Sequence, residues 1–120
     1  MRISEDKPIF LQIYEQIEDA IVSGAFPEES QIPSTTEFSV SCKINPATVL
    51  KGVTMLVDEG IIYKKRGVGM FVAEGAREKL LSKRREQFCE RYVRQMTTEA
   101  RRLGITREDL DEMIRKEYEK

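Results

Sequence analysis

Three small groups of side chains in this 120-residue chain have the types and spacing to hold a polyanion. Asn45, Ala47, Thr48 and Lys51 stand at the start of an apolar-periodic stretch. An asparagine amide there can pair bidentately with adenine, and the methyl groups of Ala47 and Thr48 can meet thymine methyls. Asn45 also suits an N-cap, with Pro46 as the first helical residue, and a capping side chain is already occupied. Lys51 is expected to reach a phosphate. The second group, Ser34, Thr35 and Thr36, offers hydroxyls and free N–H groups at a helix start, which suits phosphate. Ser34 with Glu37 three residues on fits a capping box equally well. The third group is Lys64, Lys65 and Arg66 beside Gly67 and Gly69. Glycines permit a tight turn, but folding alone does not explain three adjacent cations. They are suited to follow a nucleic-acid backbone or enter a minor groove.

The elements that must position these groups are legible from periodicity and punctuation. After Lys7-Pro8, the set Ile9, Ile13, Ile17, Ala20 and Ile21 follows the spacing of one buried helix face, widened by Leu11, Tyr14 and Val22. Gly24 is placed to end that helix. Residues 28–33 read as a connector. A short helix then runs from about Thr35 to Ser41, with Phe38 as its main core contact. Cys42-Lys43-Ile44 makes the turn into a third helix, whose inward face is Val49, Val53, Leu56 and Val57, supplemented by Leu50. Gly60 stops it. Ile61-Ile62-Tyr63 and Met70-Phe71-Val72 flank the basic, glycine-bearing segment 64–69 as a hairpin with the cations at its tip. Helix, turn, helix and basic hairpin describe a winged helix-turn-helix.

Beyond residues 73–75 the character changes. Residues 76–103 read as one long charged helix with a narrow stripe of Leu81, Phe88, Tyr92, Met96 and Leu103. After Gly104, Thr106 can cap a last helix with Leu110, Met113, Ile114 and Tyr118 on its apolar face. Paired only with each other, these helices would leave apolar surface uncovered, which a second copy would cover. The expected fold class is therefore mainly α with a small β-hairpin. Residues 1–75 form the winged helix-turn-helix domain, and residues 76–120 a short two-helix dimerisation segment. Leu81, Phe88, Tyr92, Met96, Leu103, Leu110 and Ile114 are its expected dimer contacts.

Composition agrees. The net charge of −1 conceals segments of −6 over residues 1–42, +8 over 43–107 and −3 over 108–120. A basic middle suits a localised polyanion-binding surface, although many of its cations lie past residue 77, where a solvated helix face also accounts for them. There is no histidine, and no metal-ligand spacing, phosphate-binding glycine loop or nucleophile elbow, so no enzyme and no cofactor is expected. Cys42 and Cys89 lack a framework spacing and read as buried free thiols of a reducing cytosol. No run approaches a membrane span, and MRISEDKPIF lacks the apolar core of a signal peptide, so a cytoplasmic protein is expected.

The ordered motifs Pro8-Ile9-Phe10-x-Gln12-Ile13, Ile32-Pro33-Ser34, Asn45-Pro46-Ala47-Thr48-Val49, Glu59-Gly60 and Arg66-Gly67-Val68-Gly69-Met70-Phe71-Val72 resemble the GntR family of bacterial transcription regulators. The short C-terminal part is similar to the YtrA-like branch. That resemblance implies a double-stranded DNA operator as partner, transporter operons as targets, and DNA contacts from Thr36, Thr48 and Arg66 with Gly67. Larger members attach an effector-binding domain, and residues 76–119 are too few for one. No residue pattern identifies a small-molecule effector. The expected function is a homodimeric, sequence-specific repressor reading a palindromic operator. The rival is a winged-helix protein–protein adaptor, which has no need of a basic wing.

Overall fold

Ile13, Ile17 and Ile21, spaced by four, are each at most 1% exposed, and they fix the inner face of the first helix, α1 (Ile9–Ser23). Pro8 precedes it as the cap residue, and Gly24 closes it in the left-handed conformation at φ 89°. The computed structural model describes residues 6–120, so the first five residues of MRISEDKPIF lie outside the described residues. Next come β1 (Gln31–Ile32), α2 (Thr35–Cys42), α3 (Pro46–Asp58), β2 (Ile62–Lys65) and β3 (Gly69–Val72). α4 (Ala76–Phe88), a π-helical turn over Cys89–Val93, α5 (Arg94–Arg102) and α6 (Arg107–Tyr118) follow.

The chain divides into two units, Met1–Ser82 and Lys83–Lys120. In the first, the α1 isoleucines meet Phe38 of α2, Val49, Val53 and Leu56 of α3, and Ile61, Ile62, Met70 and Val72 around the sheet. α1 and α3 approach so closely at Gly52 that a Cβ there would stand 2.6 Å from the Phe10 carbonyl oxygen. Tyr14 donates its hydroxyl to the Glu59 carboxylate, tying α1 to the end of α3. The antiparallel sheet has the order β1-β3-β2, with Ile32 opposite Met70 and Ile62 opposite Val72. β1 falls in the stretch expected to be a plain connector. Two residues are too few for periodicity to announce a strand, and only pairing with β3 makes it one. Leu50, expected to supplement the core, is 43% exposed.

The expected boundary near residue 75 leaves out two turns of α4 that belong with the first unit. Ala76 and Leu80 are each 1% exposed within its core. Arg77 Nε donates to the Val22 carbonyl at 2.9 Å, and Lys79 Nζ to that of Glu59 at 2.6 Å. Leu80 is thus the core residue of that turn, while the expected stripe residue Leu81 is only partly buried.

In the second unit the single helix expected over 76–103 is interrupted by the π-helical turn, whose wider winding shifts all later residues around the axis. Phe88 and Tyr92 lie on this stretch with ring centroids 5.4 Å apart. Thr106 caps α6 as expected, in a capping box with Asp109. Ala100 is buried, but Phe88, Tyr92, Met96, Leu103, Met113, Ile114 and Tyr118 are all exposed. Neither cysteine is in a disulfide, but Cys89 is exposed and Cys42 only partly buried, so neither is the buried thiol expected.

Candidate nucleic-acid interface

The start of α2 is built by a reciprocal pair. Ser34 Oγ accepts the Glu37 N–H at 3.1 Å, and the Glu37 carboxylate accepts the Ser34 N–H at 3.2 Å. Ser34 is therefore engaged as a cap. Thr35 and Thr36 follow it with hydroxyls that have no side-chain partner among the described residues.

The hairpin carries its cations differently from the expectation. Lys64 and Lys65 are in β2, paired with Met70 and Gly69, and the tip is Arg66-Gly67-Val68. Strand alternation separates the two lysines. Lys64 shares the side of Ile62, whereas Lys65 shares the side of Tyr63 and lies 4.7 Å from the centroid of Phe71, which stacks on Tyr63. The turn closes with the Val68 N–H on the Lys65 carbonyl at 2.9 Å, and Gly67 takes φ 77°, a value costly for other residues. Gln31 Nε2 donates to the Val68 carbonyl at 3.0 Å and pins the tip to β1. Sequence reasoning missed Gln31, because only the unforeseen strand brings it there. On the outer side, Tyr63 donates to Glu29 at 2.9 Å, and this bond to a carboxylate raises the phenol above its ordinary pKa.

These parts line one open groove of about 520 Å³, bounded by Ser34, Thr35 and Thr36 on one side and by the residues from Lys64 to Met70 on the other. Eight of the expected contact residues meet there: Ser34, Thr35, Thr36, Lys64, Lys65, Arg66, Gly67 and Gly69. Lys64 and Arg66 are exposed and have no carboxylate partner among the described residues. Several later cations differ: Arg102, Arg107 and Arg115 pair with acids on their own helices, and Arg94 pairs with Glu90 of the π-helical turn.

The other four expected residues are on α3, outside this groove. Asn45 Oδ1 accepts the Ala47 N–H at 2.8 Å, so the capping use applies. Ala47 is exposed and Thr48 partly so, while Val49 between them and the core is buried. Lys51, expected on a phosphate, holds its ammonium 4.1 Å from the Phe10 ring centroid. A cation over an aromatic face is held by the ring quadrupole, and that attraction draws Lys51 toward α1.

A three-helix unit with α2 and α3 joined by a short turn, beside a sheet whose hairpin bears unpaired cations, is a winged helix-turn-helix DNA-binding protein. The sequence profile of the bacterial regulatory proteins of the gntR family matches residues 10–72, and the chain belongs to that family. It is 31% identical over 108 residues to the HTH-type transcriptional repressor YtrA of Bacillus subtilis, covering 90% of this chain and 82% of the relative. A GntR family transcriptional regulator from Listeria monocytogenes superposes with a TM-score of 0.78 at 27% identity, covering 95% of this chain and 98% of that one. The DNA-binding domain of AraR, solved in complex with operator ORX1, matches at 30% identity and a TM-score of 0.55, over 61% of this chain and 89% of its own. The chain is a DNA-binding transcription regulator of this family and not an enzyme. No helix among the described residues is long and apolar enough to cross a membrane.

Proposed function

We propose that the chain is a cytoplasmic, homodimeric repressor that reads a palindromic operator with α3 and the basic wing. The observation that carries this reading is the juxtaposition of unpaired Lys64 and Arg66 with the free hydroxyls of Thr35 and Thr36 across one groove. Such a groove suits a phosphate backbone, with the start of α3 directed at base edges. Ala47 and Thr48 are the base-contact residues on this reading, and Gly67 and Gly69 allow the wing to come close. Repression is supported by the function named for the YtrA relative. The resemblance to that branch favours a transporter-type operon as target.

Dimerisation through Lys83–Lys120 is supported by the apolar side chains that this unit leaves exposed, Phe88, Tyr92, Met96, Leu103 and Ile114 among them. Leu110 of the same unit is partly buried, and Leu81, also an expected contact, falls in the first unit. Two-fold symmetry of the protein would match two-fold symmetry of the operator.

The test is fluorescence anisotropy with duplex DNA from upstream of the chain's own gene against a scrambled duplex, across a salt series. Preference for the upstream duplex with a steep salt slope is expected, because each phosphate contact releases counterions. Absence of binding even at low salt would overturn the reading in favour of a protein–protein adaptor.

A further inference from the structure

Leu50 is a large aliphatic side chain that the core leaves uncovered, in the first half of the helix that would enter the major groove. Pro46, Ala47 and Thr54 are its neighbours at three-to-four spacing on α3, and all three are exposed. Together they present methyl and methylene groups, with a single hydroxyl and no amide or guanidinium. Two of the polar groups nearby are directed elsewhere, since Asn45 Oδ1 holds the Ala47 N–H and Lys51 lies over Phe10. An apolar surface in the major groove can separate bases chiefly by one feature, the C5-methyl of thymine, which no other unmodified base presents there. Affinity, by contrast, can come from phosphate contacts on another element, where Lys64 and Arg66 stand unpaired.

We propose that Leu50, together with Ala47, determines specificity by packing on a thymine methyl in the major groove. The inference rests on the DNA-binding reading above and adds to it the residue and the chemical group by which α3 chooses its sequence. It also accounts for a leucine left in solvent at this position by a fold that buries the other α3 leucine, Leu56, completely.

The experiment selects duplexes from a random-sequence library with the full chain, then replaces each thymine of the recovered site by 2′-deoxyuridine, one at a time. Uracil differs from thymine only by the missing methyl, so base pairing is untouched. At one or more thymines the replacement should weaken binding about fourfold, as expected for one buried methyl-sized group. In Leu50→Ala most of that penalty should disappear, while the salt slope on unselected DNA and the melting temperature stay at the parent's values. Leu50→Gln keeps the side-chain length and should lose the thymine preference too, so the result does not depend on one variant's folding. Tolerance of uracil at every position, a recovered site without thymine, or a penalty that persists in both variants would each overturn the proposal and leave the DNA-binding function standing. Enrichment of no sequence at all would instead remove specific DNA binding, and this proposal with it.

Discussion

In the first unit Ile17, Val49, Val53 and Leu56 are 0% exposed, whereas in the second Phe88, Tyr92 and Leu103 are 55%, 60% and 65% exposed. Both stretches carry apolar side chains at helical spacing. The difference is what lies opposite them. Around α1 and α3 the chain supplies a second helix, a sheet and the first turns of α4, so each apolar face meets another within the same unit. In Lys83–Lys120 Phe88, Tyr92 and Leu103 stay exposed, and the charged faces carry i,i+3 and i,i+4 ion pairs such as Arg102–Glu99 and Arg94–Glu90. Exposed pairs of that kind contribute about 0–1 kcal/mol each and cannot replace a core. A helix face can be patterned for burial without having a partner in its own chain.

This contrast can be broken by substitution. Ile17→Ala should lower the stability of the first unit by about 2–5 kcal/mol, read by chemical denaturation. Phe88→Ala, measured as a monomer, should change it by no more than about 0.5 kcal/mol; equal losses would erase the distinction. Gly52→Ala should cost about 1–3 kcal/mol, because the added methyl forces α1 away from α3 at the Phe10 carbonyl. In the second unit the sensitive quantity is association. Tyr92→Asp should convert a sedimenting dimer to monomer at micromolar concentration while leaving the circular dichroism of the first unit intact. A parent chain that is already monomeric would remove the proposed dimer.

Within the first unit, support and contact can be separated as well. Arg66→Ala should weaken binding to every DNA sequence and reduce the salt slope by about one. Gln31→Ala has the smallest expected effect, about two- to threefold in DNA affinity at unchanged melting temperature, since one hydrogen bond at the wing is lost. A larger loss for Gln31→Ala than for Arg66→Ala would mean that wing geometry matters more than wing charge.

Much of both units was written in local signals. Ser34 with Glu37, Asn45 with Pro46, and Thr106 with Asp109 form the caps their residue types suggest, because a cap is satisfied within four residues and owes little to the rest of the fold. The α1, α2 and α3 faces follow for a related reason: one apolar stripe at helical period admits one inward orientation. The exposure of the candidate contact residues was legible where no distant partner intervenes, as for Lys64 and Arg66. They were not legible where two distant residues compete for one side chain. Nothing near Lys51 indicates that its ammonium rests on Phe10, and nothing near Gln31 indicates that its amide holds Val68.

The amino-acid order by itself therefore determined the caps, the helix faces, the basic hairpin and the family to which the chain belongs. Tertiary structure decided that Gln31–Ile32 is a strand, that Lys64 and Lys65 take opposite sides of β2, and that Leu80 rather than Leu81 enters the core. It also decided that Leu50 stays in solvent. Local signals need only neighbouring residues to satisfy a backbone group or set a period. Strand pairing, side-chain capture and burial each need a surface brought from elsewhere in the chain, and that surface exists only once the fold has formed.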